Sequence, residues 1–187
     1  IKFTTTGDKS SGIKTTGEYI QTDGIIHGTV KGNGSKILNC DSNITLKGGK
    51  LIGFAEGTVL NDTTSAGGIK GEGNINISNG IIAIECSGKG AKGINCNNVT
   101  ITGGETTILT TGENFNGTDR TRRSIAIDTG NFTMTNGRTI LSAYDNAIYA
   151  TKASIFKGVL QATSNSNTAI DADVKQTGGW LLKKDAE

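Results

Sequence analysis

The 187-residue sequence predicts an all-β fold, a single-stranded parallel β-helix of about seven coils. Three observations carry this. A six-residue phrase (apolar, any, apolar, any, any, glycine) recurs at Ile44–Gly49, Ile75–Gly80, Val99–Gly104, Phe132–Gly137 and Ala153–Gly158. It recurs more weakly at Val174–Gly179 and Tyr19–Gly24. The closing glycines are 25, 31, 24, 33, 21 and 21 residues apart, a period that belongs to stacked repeats. Inside each copy apolar and polar positions alternate, which marks a strand with one buried face. Helical readings fit badly, because the chain holds 28 glycines and no proline and shows no apolar stripe at helical spacing.

Each coil is read in order as three short strands and three corners. One strand precedes the glycine and one follows it, with inward positions at Ile82 and Ile84, Thr106 and Ile108, Thr139 and Leu141, Leu160 and Ala162. A third begins ten or eleven residues before the glycine, at Ile13, Ile69, Ile94, Ile127 and Ile148. Gly49, Gly80, Gly104, Gly137, Gly158 and Gly179 then occupy a corner that needs positive φ or leaves no room for a side chain. Seven coils at about 4.8 Å make a rod of roughly 30–35 Å. The residue before each apolar pair is Asn43, Asn74, Asn98 or Asn131, then Lys152 and Asp173. Four asparagines at one register predict a ladder of side-chain amides bonded from coil to coil. The sequons Asn43-Ile-Thr, Asn98-Val-Thr and Asn131-Phe-Thr fall on that register and follow from the repeat. The two longest gaps hold insertions near 56–67 and 112–123, within a single domain spanning 1–187. Insertions in a solenoid become loops on one face, where function gathers.

Composition narrows the function. A net charge of +2 with 19% charged residues gives no case for nucleic acid. No apolar run is long enough to span a membrane, so any lipid anchor would lie outside these residues. The chain opens at Ile1 without a signal peptide, as expected of a mature or trimmed fragment. Cys40 and Cys96 fall two coils apart, near 10 Å by strand spacing and too far for a disulfide. Cys40, Cys86 and Cys96 are read as buried thiols. The single histidine, His27, has no catalytic partner tied to it by spacing, and zinc-type spacing is absent.

Candidate chemistry lies in carboxylates and in the second insertion. A calcium ion needs several converging oxygens, and Asp62, Glu72, Asp119, Asp128, Asp145, Asp171 and Asp173 are the candidates, with Asp119, Asp128 and Asp145 foremost. The segment Gly112-Glu-Asn-Phe-Asn-Gly-Thr-Asp-Arg-Thr-Arg-Arg123 combines an aromatic, amides and three of the four arginines. Aromatic faces and guanidinium forks suit a glycan, which makes Phe115, Arg120, Arg122 and Arg123 the ligand-binding candidates, joined by Tyr149. Trp180 is expected to cap the C-terminal end. Threonine pairs at Thr100 and Thr102, and at Thr133 and Thr135, are interrupted by Asn76, Ser78, Ser154 and Phe156, too irregular for an ice-binding face.

The stretches Gly68-Ile-Lys-Gly-Glu-Gly-Asn-Ile-Asn-Ile-Ser-Asn-Gly80 and Ser87-Gly-Lys-Gly-Ala-Lys-Gly-Ile-Asn-Cys-Asn-Asn-Val-Thr-Ile-Thr-Gly-Gly104 resemble a family of carbohydrate-binding β-helix domains on exported proteins of gut Bacteroides-like and clostridial bacteria. The resemblance is closest over 67–112, looser over 124–182 and in outline over 1–48. It implies a right-handed helix shaped like pectate lyases, export to the medium or cell surface, polysaccharide binding, and calcium in some members. Asp-rich turns found in that family read here Lys70-Gly-Glu72, Asn95-Cys-Asn97 and Ala126-Ile-Asp128. The leading expectation is a non-catalytic glycan-binding module with a lateral groove between the insertions. The alternatives are a structural or adhesive surface rod, and a polysaccharide lyase using Arg138, which a Glu105–Arg138 cross-strand pair explains as well.

Overall fold

Alternating side chains and corner glycines build a parallel β-helix, in which every strand pairs in parallel with the strand one coil away. The computed structural model describes residues 1–61, 64–117 and 119–187. The cross-section has three faces. Face one follows the corner glycine and stacks eight strands, Lys2–Thr5, Ile25–Val30, Lys50–Ala55, Ile81–Cys86, Glu105–Thr110, Arg138–Ala143, Val159–Ser164 and Trp180–Lys184. Face two begins with Ser11–Thr15, Lys36–Cys40 and Gly67–Gly71; face three begins with Tyr19–Gln21, Ile44–Leu46 and Asn74–Ile77. In later coils these two faces run through single strands, Lys92–Ile101, Ile125–Met134, Ile148–Ile155 and Ile170–Gln176.

Inward positions stack into columns, and their volumes compensate. On face three, Ile44, Ile75, Val99, Phe132 and Ala153 lie in register, so the bulkiest member of the column abuts the smallest. On face two, Leu38, Ile69, Ile94, Ile127, Ile148 and Ile170 do the same. All of these are buried. Thr106 and Thr139 interrupt the face-one column, with buried hydroxyls that have no hydrogen-bond partner among the described residues.

The corner glycines show both properties expected of them. Gly49, Gly80, Gly104, Gly137, Gly158 and Gly179 have φ between +74° and +93°. A Cβ on any of them would lie 2.4–2.8 Å from the carbonyl oxygen of the glycine one coil before. The asparagine ladder is present too. Asn98 Nδ2 donates to Asn74 Oδ1, and Asn131 Nδ2 to Asn98 Oδ1, each at 2.7 Å. Asn43 joins differently, its Oδ1 accepting from the Asn74 backbone N–H at 2.9 Å. All three cysteines are buried and free.

A second glycine column follows the first at a fixed offset of eight residues. Gly32, Gly57, Gly88 and Gly112 sit at the corner between faces one and two, where a Cβ would come within 1.9–2.2 Å of the oxygen of Gly7, Gly32, Gly57 and Gly88 respectively. Both insertions leave from this corner. At the N-terminal end the Phe3 ring fills space over Gly12 and Gly28, where a Cβ would lie 1.8 and 2.3 Å from it. Trp180 does not cap the other end: it is 74% exposed. It pairs with Val159 and so continues the outward row that includes Glu105 and Arg138, leaving Leu181 as the inward residue. Glu105 and Arg138 occupy the cross-strand register predicted for them, without an ion pair between their charged ends. No described helix is long and apolar enough to cross a membrane.

Candidate functional site

The insertions start two coils apart at one corner, with the short turn 87–91 between them. Their rims meet over Gly90, where a Cβ would be 3.1 Å from both Val59 of the first loop and Phe115 of the second. The second loop is closed at its base by Asn114, whose Oδ1 accepts from the Ser124 N–H at 2.9 Å. The Phe115 N–H donates to the Arg122 carbonyl at 2.8 Å, and Arg120–Arg122 forms a single 3-10 turn. Phe115 is half-buried, with its Cβ close above Gly90.

The loop is pinned to face two by buried charge. Lys92, on the strand beneath, donates from Nζ to the carbonyls of Arg120 at 2.7 Å and Arg123 at 3.0 Å, and lies 3.6 Å from Asp128. Arg120 reaches the other oxygen of Asp128 through Nε at 2.7 Å. Arg123 grips Asp145 with two hydrogen bonds of 3.1 and 2.7 Å and also donates to Asn146. Asn114 and Asn167 complete the shell of Asp145, at 2.6 and 3.0 Å. The guanidinium carbons of Arg120 and Arg123 lie 4.8 and 5.0 Å from the Tyr149 ring centre, within cation–π range. Arg122 turns back to the Asn116 carbonyl at 2.9 Å.

The predicted residues thus gather in one place but divide their roles. Arg120 faces the cleft, Arg123 and Tyr149 anchor the loop, and Phe115 and Arg122 shape it. Of the carboxylates considered for calcium, Asp128 and Asp145 are buried against cations of the chain, while Asp119, Asp171 and Asp173 are exposed. Asp62 lies outside the described residues. Among the described residues no three His, Cys, Asp or Glu side chains gather as a metal site.

Between the loops, face two forms the floor of a cleft of about 300 Å³, lined by Ser65, Lys70, Glu72, Lys92, Asn95, Arg120, Thr121 and Asp128. Lys70, Asn95, Asp128 and Tyr149 are successive members of one outward column. Sequence reasoning marks Lys70 and Asn95 only as turn residues, and Glu72 and Asp128 only as carboxylates. The signal that places Lys70, Asn95 and Asp128 together is their position, one residue after the face-two isoleucine.

Burial pushes the Lys92 ammonium down to about 8, against the opposing pull of Asp128. It does the same to Lys36 nearby, with the charge of Lys70 adding to the effect. Burial also lifts the thiols of Cys86 and Cys96 to about 12. The unfolded lysines keep their protons to about 10.4, so between about pH 8 and 10 the unfolded chain binds more protons and stability rises with pH. The unfolded thiols ionise near about 8.5–9 while the folded ones stay protonated, so their contribution falls with pH from there to about 12. Stability is expected to rise by about 0.5–1 kcal/mol from about pH 8 to 9, turn over near about 9.5, then fall. Urea unfolding midpoints across that range check it; a decline from the start of the range onward would contradict the burial of the lysine charges.

The molecule is by its fold a parallel β-helix whose polar cleft is framed by two loops on one rigid face. Comparison with protein-family models, with curated proteins and with solved structures finds no match to this chain.

Proposed function

We propose that the protein is a non-catalytic glycan-binding module acting outside the bacterial cell, with the face-two cleft as its site. The supporting observation is the chemistry of the lining. All eight residues are hydrogen-bonding, supplying ammonium, guanidinium, amide, hydroxyl and carboxylate groups. Small-molecule pockets are usually dominated by apolar side chains, so a cleft lined by hydrogen-bonding residues suits a ligand whose surface is hydroxyl. The column spacing of about 4.8 Å matches successive polar groups of an extended chain. Lys92, the buried amine at the cleft floor, has its Nζ committed to two carbonyls and Asp128.

The test is a glycan array of pectins, celluloses and mucin glycans, with and without calcium, followed by calorimetry on Lys70→Ala and Asn95→Ala. Each variant is expected to weaken binding about tenfold, in line with one lost hydrogen bond to a charged or amide group, at unchanged melting temperature and without shortening of the glycan. Silence across the panel would favour the structural rod, and shortened product the lyase.

A further inference from the structure

Face one carries a second cleft, remote in chemistry from the first. It measures about 310 Å³ and is lined by Thr29, Phe54, Ala55, Glu56, Glu85 and Ser87. Phe54 is 38% exposed, an outward aromatic on a strand that buries Leu51 and Ala55 on its other side. The ring is held in place, its centre 5.8 Å from that of His27 on the neighbouring coil. Thr29 and Glu85 are its cross-strand neighbours on either side.

The charges around this ring are uneven. Glu56 pairs loosely with Lys31 at 3.6 Å. Glu85 is exposed and has no ion-pair partner among the described residues; its neighbours across and along the sheet are Phe54, Leu109, Ala83 and Ser87, none of them cationic. A carboxylate left uncompensated beside an accessible aromatic face selects for a ligand that brings its own positive charge, since the ring quadrupole and the carboxylate both attract a cation. The apolar ring also offers a flat surface for the C–H face of a sugar, and Thr29 and Ser87 offer hydroxyls to its rim.

We infer that this cleft is a second saccharide subsite, selective for a sugar unit bearing a protonated amine. The ring of the sugar lies on Phe54, its ammonium pairs with Glu85, and its hydroxyls meet Thr29 and Ser87. This rests on the glycan-binding reading but uses a different face and different residues, so the two can fail separately. It also gives the module opposite tastes on its two faces: lysine and arginine line the first cleft, unpaired carboxylate the second.

The experiment is calorimetry with β-1,4-linked glucosamine oligomers, their fully N-acetylated counterparts and cello-oligosaccharides of the same length, on the wild type and on Phe54→Ala, Glu85→Gln and Lys70→Ala. The free-amine oligomer is expected to bind about three- to tenfold more tightly than the acetylated one, corresponding to a single partly solvated charge contact. Glu85→Gln should abolish that preference, Phe54→Ala should weaken all face-one binding, and Lys70→Ala should leave it unchanged. A preference that survives Glu85→Gln, or binding lost in Lys70→Ala but not in Phe54→Ala, overturns the inference. Binding of uncharged or acidic glycans through Lys70 alone, with none of the glucosamine oligomer, sinks the second subsite and keeps the first. If no saccharide binds, both fall.

Discussion

Gly104→Val is expected to cost at least about 4 kcal/mol and lower the melting temperature by about 10 °C or more, on the usual conversion for a domain of this size. Two penalties combine. Gly104 has φ +77°, which a β-branched residue adopts at considerable strain. A side chain there also meets the Gly80 carbonyl oxygen at 2.7 Å and the Asn79 backbone at 2.9 Å. These atoms belong to the preceding coil's ladder and cannot move without disturbing it. Alanine variants separate the two causes. Gly24 has φ +85° but nothing within 4 Å of where a Cβ would lie, and Gly17 has neither problem. Melting temperatures should therefore fall in the order Gly17→Ala, Gly24→Ala, Gly104→Ala, with about 1–2 kcal/mol for the strain alone in the second. Equal losses at Gly24 and Gly104 would remove the stacked carbonyls from the explanation.

Arg123→Leu is expected to cost about 3–5 kcal/mol, the usual penalty for stranding one partner of a buried ion pair. Asp145 has a side chain only 4% exposed and depends on Arg123, Asn114 and Asn167. Burial by itself would raise its pKa, but the hydrogen bonds from Arg123 and Asn114 outweigh it and hold the carboxyl below its ordinary value. A depressed folded pKa contributes stability above the unfolded value near about 3.9, lost as pH falls through the folded one. In the variant the carboxyl instead protonates readily, so the gap between wild type and variant should narrow as pH drops toward about 4. Chemical unfolding at about pH 7 and about pH 4 measures this. A gap that is constant with pH would mean that the loss is one of packing.

How much of this is legible in the sequence depends on whether the physics is local or stacked. The inward columns, the corner glycines and the asparagine ladder can be read because each repeats at a fixed offset from one residue type. The second glycine column obeys the same rule, since Gly32, Gly57, Gly88 and Gly112 each lie eight residues after Gly24, Gly49, Gly80 and Gly104, and it lapses only where Asp145 and Ser166 take that place. The arginine-rich loop is recognisable as a site, but its internal division is not. Whether a guanidinium meets ligand or carboxylate turns on residues a coil away, such as Asp128 and Asp145, whose own positions follow from strand register. The same parity governs Trp180, one residue deciding between the end of the rod and its side. Phe54 and Glu85 leave no mark in the sequence because their chain separation conceals that they are Cα partners.

The shared origin of the two loops has a practical corollary. The corner that begins at Gly57 and Gly112 carries turns of very different length on an unbroken ladder, so the rod is indifferent to what is spliced there. The short turn 87–91 is a further berth along the same edge, whereas 144–147 and 165–169 carry Asp145 and Asn167 of the buried pair and are not. A foreign segment inserted at 87–91 would project one coil pitch from either loop, which makes the scaffold a ruler on which recognition elements can be mounted at a chosen separation.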